Sequence, residues 1–181
     1  EINRWNREGG ACLENGDLEG ALERFSRALD LLPGEDGESR KARAALLNNV
    51  GMVQVRLGRF TEAHDSFLTA AGDYRETGDF VAAAWQMGNA GSTCRDMKAY
   101  DEALEHYHES LSVFSQQGVA MGVADQSGNI GYIHAMKNDP RSAIEWFEKA
   151  LELYNKEGAE RKAERTRQNL DSLRSSVREQ T

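Results

Sequence analysis

A repeat of 40 residues is the feature that most constrains how this chain can fold. Asparagines recur at this step, at positions 49, 89, 129 and 169, and glycines recur at positions 51, 91 and 131. Alanines at 63, 103 and 143 and aromatic residues at 67, 107 and 147 keep the same step. A fixed period of about 20 to 50 residues is typical of proteins built from stacked supersecondary units. The sequence therefore predicts a repeat architecture.

Each period contains two helices joined by a short turn. The stretch 38–57 has few helix breakers, and the stretch 61–77 places apolar residues at helical spacing. Gly58 and Gly78 follow these stretches, where a helix commonly ends on a left-handed residue. Each repeat is therefore predicted to be a helix–turn–helix unit.

Polar residues near the start of the second helices are candidates for N-terminal caps. We expect Thr61 and Asp101 to cap the second helices of their repeats. Asp139 is expected to do the same in the last repeat, where Pro140 suits the first helical position.

Three glycines stand in the middle of predicted first helices, at Gly51, Gly91 and Gly131. A glycine in a helix interior costs about 1 kcal/mol relative to alanine. We expect close packing of the second helix to offset this cost, because a larger side chain would hold the two helices apart. The small residues expected to face these glycines are Ala63, Ala103 and Ala143.

These positions together resemble the motif of the tetratricopeptide repeat (TPR) family. That motif has small and large residues at fixed positions of the first helix and Ala-x3-aromatic on the second. The first repeat matches at Trp5, Gly9, Cys12, Ala21, Phe25, Ala28 and Pro33. The next three match at Leu47, Gly51, Gln54, Ala63, Phe67 and Ala70, at Met87, Gly91, Cys94, Ala103, Tyr107 and Ser110, and at Ser127, Gly131, His134, Ala143, Phe147 and Ala150. The step of 40, rather than the family's usual 34, is similar to the long repeats of kinesin light chains and bacterial peptide-sensing regulators.

The resemblance implies an all-α, right-handed superhelical solenoid of four helical hairpins and a C-terminal capping helix. We expect residues 1–181 to form one array, with repeats at about 2–35, 38–77, 79–117 and 119–157 and the capping helix at 159–178. The first helix of each hairpin would then line a concave groove.

The resemblance also implies a peptide-binding role for that groove. Long-repeat relatives bind extended peptides through asparagines at one first-helix position, which here carries Asn49, Asn89, Asn129 and, in the capping helix, Asn169. An asparagine side chain donates and accepts hydrogen bonds, so it can pair with the main chain of any peptide. Hydrogen bonding to a neighbouring helix is the alternative, and one sequence does not separate the two. The remaining candidate groove residues are Arg7, Asn48, Met52, Trp85, Arg95, Tyr132 and Arg165.

Two kinds of groove residue have further interpretations. Trp85 is a candidate binding hot spot, although packing against the adjacent helix explains it equally well. Tyr132 and Met52 leave the same two alternatives open. Arginines outnumber acids at the groove positions, which favours a ligand that carries carboxylates.

The amino-acid composition argues against several classes of function. The net charge of −8 disfavours nonspecific binding to nucleic acid or to anionic membranes. The sequence has no apolar run of about 18 residues, so it predicts no membrane span. Cys12 and Cys94 are too few for a disulfide framework, and we expect a reducing, cytoplasmic environment.

No residue set indicates catalysis. The four histidines show no convincing zinc spacing, and neither cysteine has the context of a nucleophile, so we expect no metal, no cofactor and no enzyme activity. The predicted function is a noncatalytic module that binds an extended peptide or a segment of a partner protein. The alternatives are a self-associating scaffold, which would form homo-oligomers, and a sensor segment of a larger regulatory protein.

Overall fold

The computed structural model describes residues 1–34 and 36–179, and these residues form nine α-helices and no strand. The helices are α1 (Ile2–Glu14), α2 (Leu18–Asp30), α3 (Gly37–Arg56), α4 (Phe60–Glu76), α5 (Phe80–Asp96), α6 (Tyr100–Gln117), α7 (Ala120–Met136), α8 (Pro140–Lys156) and α9 (Glu160–Glu179). The predicted all-α fold is confirmed. The predicted end of the first repeat, residue 35, lies outside the described residues.

The chain divides into two compact units, one of Glu1–Met97 and one that begins at Lys98. In the N-terminal unit, helices α1 to α5 pack in chain order. One core cluster, which includes Phe25 and Val53, joins α2 to α3. A second cluster joins Ala63 and Phe67 of α4 to Ala90 of α5.

The C-terminal unit contains α6 to α9, which also pack in chain order. Ala124, Ala150, Tyr154 and Ala163 form a buried cluster that joins α7, α8 and α9. Nearer the start of α8, Phe147 packs with Leu170 of α9, so the apolar side of the last helix is covered.

At Gly51 and Gly131 the paired helices approach closely, as predicted, but atoms of aromatic rings rather than of alanines lie closest to these glycines. A Cβ atom added at Gly51 would lie 2.7 Å from Cε1 of Phe67, and one added at Gly9 would lie 2.7 Å from Cε1 of Phe25. At Gly131 the nearest atoms belong to the Phe147 ring, at 3.1 Å, and to the Ala143 carbonyl oxygen, at 3.3 Å. The glycines therefore leave space for the ring one turn beyond each facing alanine.

A left-handed residue lies in the turn after α1 and in each turn from the end of α3 onward. Gly58 and Gly78 have φ of 74° and 78°, which confirms the predicted C-terminal caps. Lys98 and Asn138 adopt the same conformation, with φ of 62° and 58°. Within each hairpin, the residue after the left-handed position becomes the N-cap of the second helix.

This register corrects two predicted caps. Helix α4 has Arg59 as its N-cap and α6 has Ala99, so Thr61 and Asp101 are the second residues of their helices and cap neither. The prediction for Asp139 is confirmed, because its side chain accepts a hydrogen bond from the Ser142 backbone N at 3.2 Å.

An ion pair holds the first turns of the long helix α3 against α4. Arg43 donates from Nε and Nη2 to the two carboxylate oxygens of Asp73, at 2.7 and 2.6 Å. Arg40 pairs with Asp73 and with Glu76 of the same helix. Because Asp73 is buried, its bidentate contact with Arg43 compensates a carboxylate that would otherwise be unpaired in the packed interface.

Each helix within residues 1–34 and 36–179 is too short or too polar to cross a lipid bilayer.

Candidate functional site

Four asparagine side chains form a hydrogen-bonded row across the first helices of the N-terminal unit. Asn49 of α3 donates from Nδ2 to Oδ1 of Asn6 on α1 at 3.3 Å. Asn48 donates to Oδ1 of Asn49 at 3.4 Å, and Asn89 of α5 donates to Oδ1 of Asn48 at 3.5 Å. We call Asn6, Asn48, Asn49 and Asn89 the amide row. It links three consecutive first helices through one type of side chain.

The amide row keeps capacity for further hydrogen bonds. Its three internal bonds of 3.3 to 3.5 Å are longer than the usual N–H···O distance of about 2.9 Å, so each is weak. Each carboxamide offers two N–H donors and two acceptor positions on its oxygen. All four side chains are half-buried, so one side of the row remains open to solvent.

Helix α3 presents a continuous accessible stripe beside the row. Lys41, Ala45, Asn48, Met52 and Arg56 follow one another at intervals of three or four residues, which places them on one face of the helix. Met52 leaves 49% of its surface exposed and lies next to the Asn48 amide, whose Nδ2 is 3.8 Å from its sulfur. The stripe therefore combines an amide, an apolar side chain and a cation at each end.

Two candidate residues on α5 lie in different environments. Trp85 is half-buried and precedes Asn89 by one helical turn. Arg95 pairs with the neighbouring Asp96, with Nη2 2.8 Å from Oδ1. The charge of Arg95 is therefore compensated by its own helix.

Arg7 on α1 and Arg56 on α3 have no acidic partner among the described residues that would compensate their charge. Arg7 is exposed and forms no ion pair with a described residue. Arg56 is also exposed, and its one described polar contact runs from Nη1 to the Leu13 carbonyl oxygen at 3.4 Å. Both guanidinium groups are therefore accessible to a ligand.

In the C-terminal unit, the predicted asparagines lie on α7 and α9. Asn129 donates from Nδ2 to Oε1 of the buried Gln126 at 3.3 Å, as Asn89 does to Gln86. The side chain of Asn169 is half-buried and forms no hydrogen bond within the described part of the chain.

Helix α7 also exposes two large side chains one turn apart. Tyr132 and Met136 leave 43% and 50% of their surfaces exposed. They continue the accessible face of α7 beyond Asn129, because the spacing is three and then four residues.

Asp125 ties α7 to both of the following helices. Its Oδ1 accepts hydrogen bonds from the Tyr154 hydroxyl at 2.8 Å and from Nζ of Lys162 at 2.6 Å. Burial and the adjacent carboxylate raise the pKa of Tyr154, so its hydroxyl stays protonated and acts as a donor. Arg165, one turn further along α9, is exposed and has no carboxylate partner among the described residues.

A ring cluster lies on the second helices of the same unit. His108 of α6 meets Trp146 of α8 edge-on, with ring centroids 5.6 Å apart, and Nζ of Lys149 lies 4.9 Å from the Trp146 centroid. Burial, and then the nearby His134 and Lys149, lower the pKa of His108. The cluster therefore favours a neutral imidazole.

Three features of the candidate site were missed by sequence reasoning. Lys41 lies on the accessible stripe of α3, and its spacing from Asn48 could have revealed it. Gln86 and Gln126 each accept a bond from the candidate asparagine three residues later, and their own 40-residue step was an available signal. The specific partners of Asn49 and Asn89 on the preceding first helix had no signal in the sequence, because they depend on how neighbouring helices are rotated; bonding to a neighbouring helix as such was one of the two alternatives left open.

Comparison with known proteins relates this chain to two curated human proteins. Human cell division cycle protein 16 homolog is 29% identical over 132 residues, which cover 71% of this chain and 19% of that protein. Human outer dynein arm-docking complex subunit 4 is 25% identical over 150 residues, which cover 83% of this chain and 22% of that protein. The chain thus spans about a fifth of the length of these relatives.

Solved structures show the same fold at low sequence identity. The apo form of RapI is similar with a TM-score of 0.88 at 16% identity, over 98% of this chain and 64% of that chain. BtubC (BKLC) from P. vanneervenii is similar with a TM-score of 0.69 at 18% identity, over 94% and 78% of the two chains.

A family model supplies the assignment. The model described as tetratricopeptide repeat matches residues 3–76 and 80–156, which is most of the chain. This confirms the resemblance inferred from the repeated motif. The chain belongs to the tetratricopeptide repeat family.

Proposed function

We propose that this chain is a noncatalytic module that binds an extended peptide, or an extended segment of a partner protein, along the accessible faces of its first helices. Tetratricopeptide repeats generally mediate interactions between proteins, and the amide row is the single observation that carries the finer proposal. In the C-terminal unit we assign the same role to Asn129, Asn169 and Tyr132.

The chemistry of the amide row suits a peptide main chain. An extended peptide presents N–H and C=O groups at every residue, and a carboxamide pairs with either group whatever the peptide's side chains are. Because the internal bonds of the row are long, exchanging them for shorter bonds to a ligand sacrifices little free energy. The exposed Met52 adds an apolar contact that a bound side chain would cover.

The contacts within the row also support a second role for these asparagines. Asn49 and Asn89 each bond to the preceding first helix, so they contribute to the alignment of neighbouring repeats. We propose that the row serves both purposes and that its open side receives the ligand. Cys12 and Cys94 form no disulfide with each other within the described residues, which is compatible with action in the reducing cytoplasm.

A random peptide library panned on the full chain tests the proposal. We expect captured peptides whose affinity falls by about threefold to tenfold when Asn89 is replaced by alanine, because one hydrogen bond contributes about 0.5–1.5 kcal/mol. Asn129→Ala is expected to have a similar effect. The melting temperature of each variant should stay close to that of the parent.

Asn155→Ala is the matched control, because Asn155 is an exposed asparagine on the second helix α8. It should leave affinity unchanged. Failure to capture any peptide above background would refute the proposal, and so would equal losses of affinity in the Asn89 and Asn155 variants.

A further inference from the structure

In the N-terminal unit, the first helices of the hairpins carry more positive charge than the second helices do. Helices α1, α3 and α5 together carry seven Lys and Arg residues and four Asp and Glu residues. Helices α2 and α4 carry three Lys and Arg residues and seven Asp and Glu residues. In a unit of an acidic protein, positive charge is therefore concentrated on the helices that hold the amide row.

Four of the seven cations on the first helices already have partners. Arg40 and Arg43 pair with Asp73, Arg4 lies 3.8 Å from Glu8, and Arg95 pairs with Asp96. Because a carboxylate balances each of these cations, they do not add to the attraction between the surface and an acidic ligand.

The remaining three cations are Arg7, Lys41 and Arg56, and no described carboxylate lies within ion-pair distance of any of them. All three are exposed. Two accessible acids on the same three helices, Glu14 and Glu38, and the exposed Asp36 that caps α3 limit the excess of positive charge, so the attraction for a carboxylate is local to the three cations.

These cations surround the amide row. Lys41 and Arg56 stand at opposite ends of the α3 stripe, 15 residues apart, which is about 22 Å at the helical rise of 1.5 Å per residue. Asn48 and Met52 lie between them. On the neighbouring helix, Arg7 directly follows Asn6, whose oxygen accepts the bond from Asn49.

We infer that the segment bound over α1 and α3 is acidic and carries at least one large apolar side chain. This inference rests on the proposed function and adds the class of partner. Carboxylates of the segment pair with Arg7, Lys41 and Arg56 at the edges of the surface, and the apolar side chain covers Met52. A nucleic acid is disfavoured as the occupant, because three unpaired cations on a chain of net charge −8 provide few phosphate contacts against overall repulsion.

The test uses the same random peptide library on the full chain and compares two double variants. Arg7→Gln/Arg56→Gln removes two unpaired cations beside the amide row. Arg141→Gln/Lys156→Gln removes two exposed cations of α8 that have no described ion pair, so the change in net charge is identical. Melting temperatures should match the parent, because all four side chains are exposed.

We expect the captured peptides to be enriched in Asp and Glu relative to the library. The affinity of the best acidic peptide should fall about fivefold in Arg7→Gln/Arg56→Gln, because two exposed ion pairs that contribute about 0.5 kcal/mol each together correspond to this ratio. The control double variant should change it by less than about twofold, because charges distant from the ligand are largely screened by salt.

Captured peptides without acidic enrichment would overturn this inference and leave the proposed function standing. The same conclusion would follow if both double variants lost affinity equally. Displacement of the best peptide by oligothymidylate at a comparable concentration would instead assign the surface to nucleic acid. Capture of no peptide would overturn both the inference and the proposed function.

Discussion

Replacing Gly51 with alanine tests whether close approach of helices explains the mid-helix glycines. Helix propensity alone predicts that the substitution stabilises α3 by about 1 kcal/mol. The added Cβ would lie 2.7, 2.8 and 3.0 Å from three atoms of the Phe67 ring. The ring is 2% exposed and packs in the cluster with Ala63 and Ala90, so it cannot move into solvent.

Overpacking of this kind typically costs about 1–3 kcal/mol. Subtracting the gain in helix propensity, we expect Gly51→Ala to lower the free energy of unfolding by about 1 kcal/mol. Gly72→Ala is the matched control, because Gly72 lies inside α4 and an added Cβ would meet no atom within 4 Å. This control should raise the free energy of unfolding by up to about 1 kcal/mol.

Urea denaturation followed by circular dichroism measures both changes. A double-mutant cycle with Phe67→Leu identifies the cause, because leucine lacks the ring edge that the new methyl group would meet. In the Phe67→Leu background, where the clash is relieved, Gly51→Ala should approach the stabilisation of about 1 kcal/mol that helix propensity alone predicts. The reasoning is refuted if Gly51→Ala is as stabilising as Gly72→Ala, or if the effect of Gly51→Ala is the same in both backgrounds.

Three further predictions concern stability. Lys98→Gly should raise the free energy of unfolding by about 0.5–1 kcal/mol, because Lys98 has φ of 62° and glycine adopts this conformation without steric cost; a loss of stability in urea denaturation would contradict this. Ser127→Ala should stabilise the protein by about 1 kcal/mol in the same assay, because the buried Ser127 hydroxyl has no partner within the described residues; a destabilised variant would reveal a hydrogen bond of that hydroxyl. The folded state lowers the pKa of His108, so the unfolded chain takes up a proton first and stability should fall as pH drops below about 6.5. His108→Gln should reduce this fall in urea titrations across pH, and an unchanged pH profile would contradict the assignment.

The period and the residue types determined much of the fold in advance. Glycine at position 51 followed 16 residues later by an aromatic ring is a local pattern, so the sequence was enough to predict that the two helices meet there. Left-handed turns at Gly58 and Gly78 were equally predictable, because glycine adopts positive φ without strain. The N-caps of α4 and α6 were not predictable in this way. Arg59 and Ala99 are poor capping residues, and they occupy the cap positions because of the register of the preceding turn.

The candidate site was predictable as a set of residues but not as a network. Spacing alone placed Asn48, Asn49 and Asn89 on first helices. Which of them bonds to which depends on the rotation of each helix about its axis, and the observed partners are 41 and 43 residues apart in sequence. The pairing of Arg95 was open to prediction, because an acid, Asp96, directly follows it in the sequence.

Side-chain amide NMR offers the most direct test of the binding surface. The full chain, labelled with nitrogen-15, is titrated with the best library peptide while the resonances of the asparagine carboxamides are followed. We expect the signals of Asn6, Asn49 and Asn89 to shift with a common saturation curve while that of Asn155 stays unchanged. Saturating shifts confined to residues of the second helices, with the amide row unaffected, would contradict the assignment of the first helices as the binding surface.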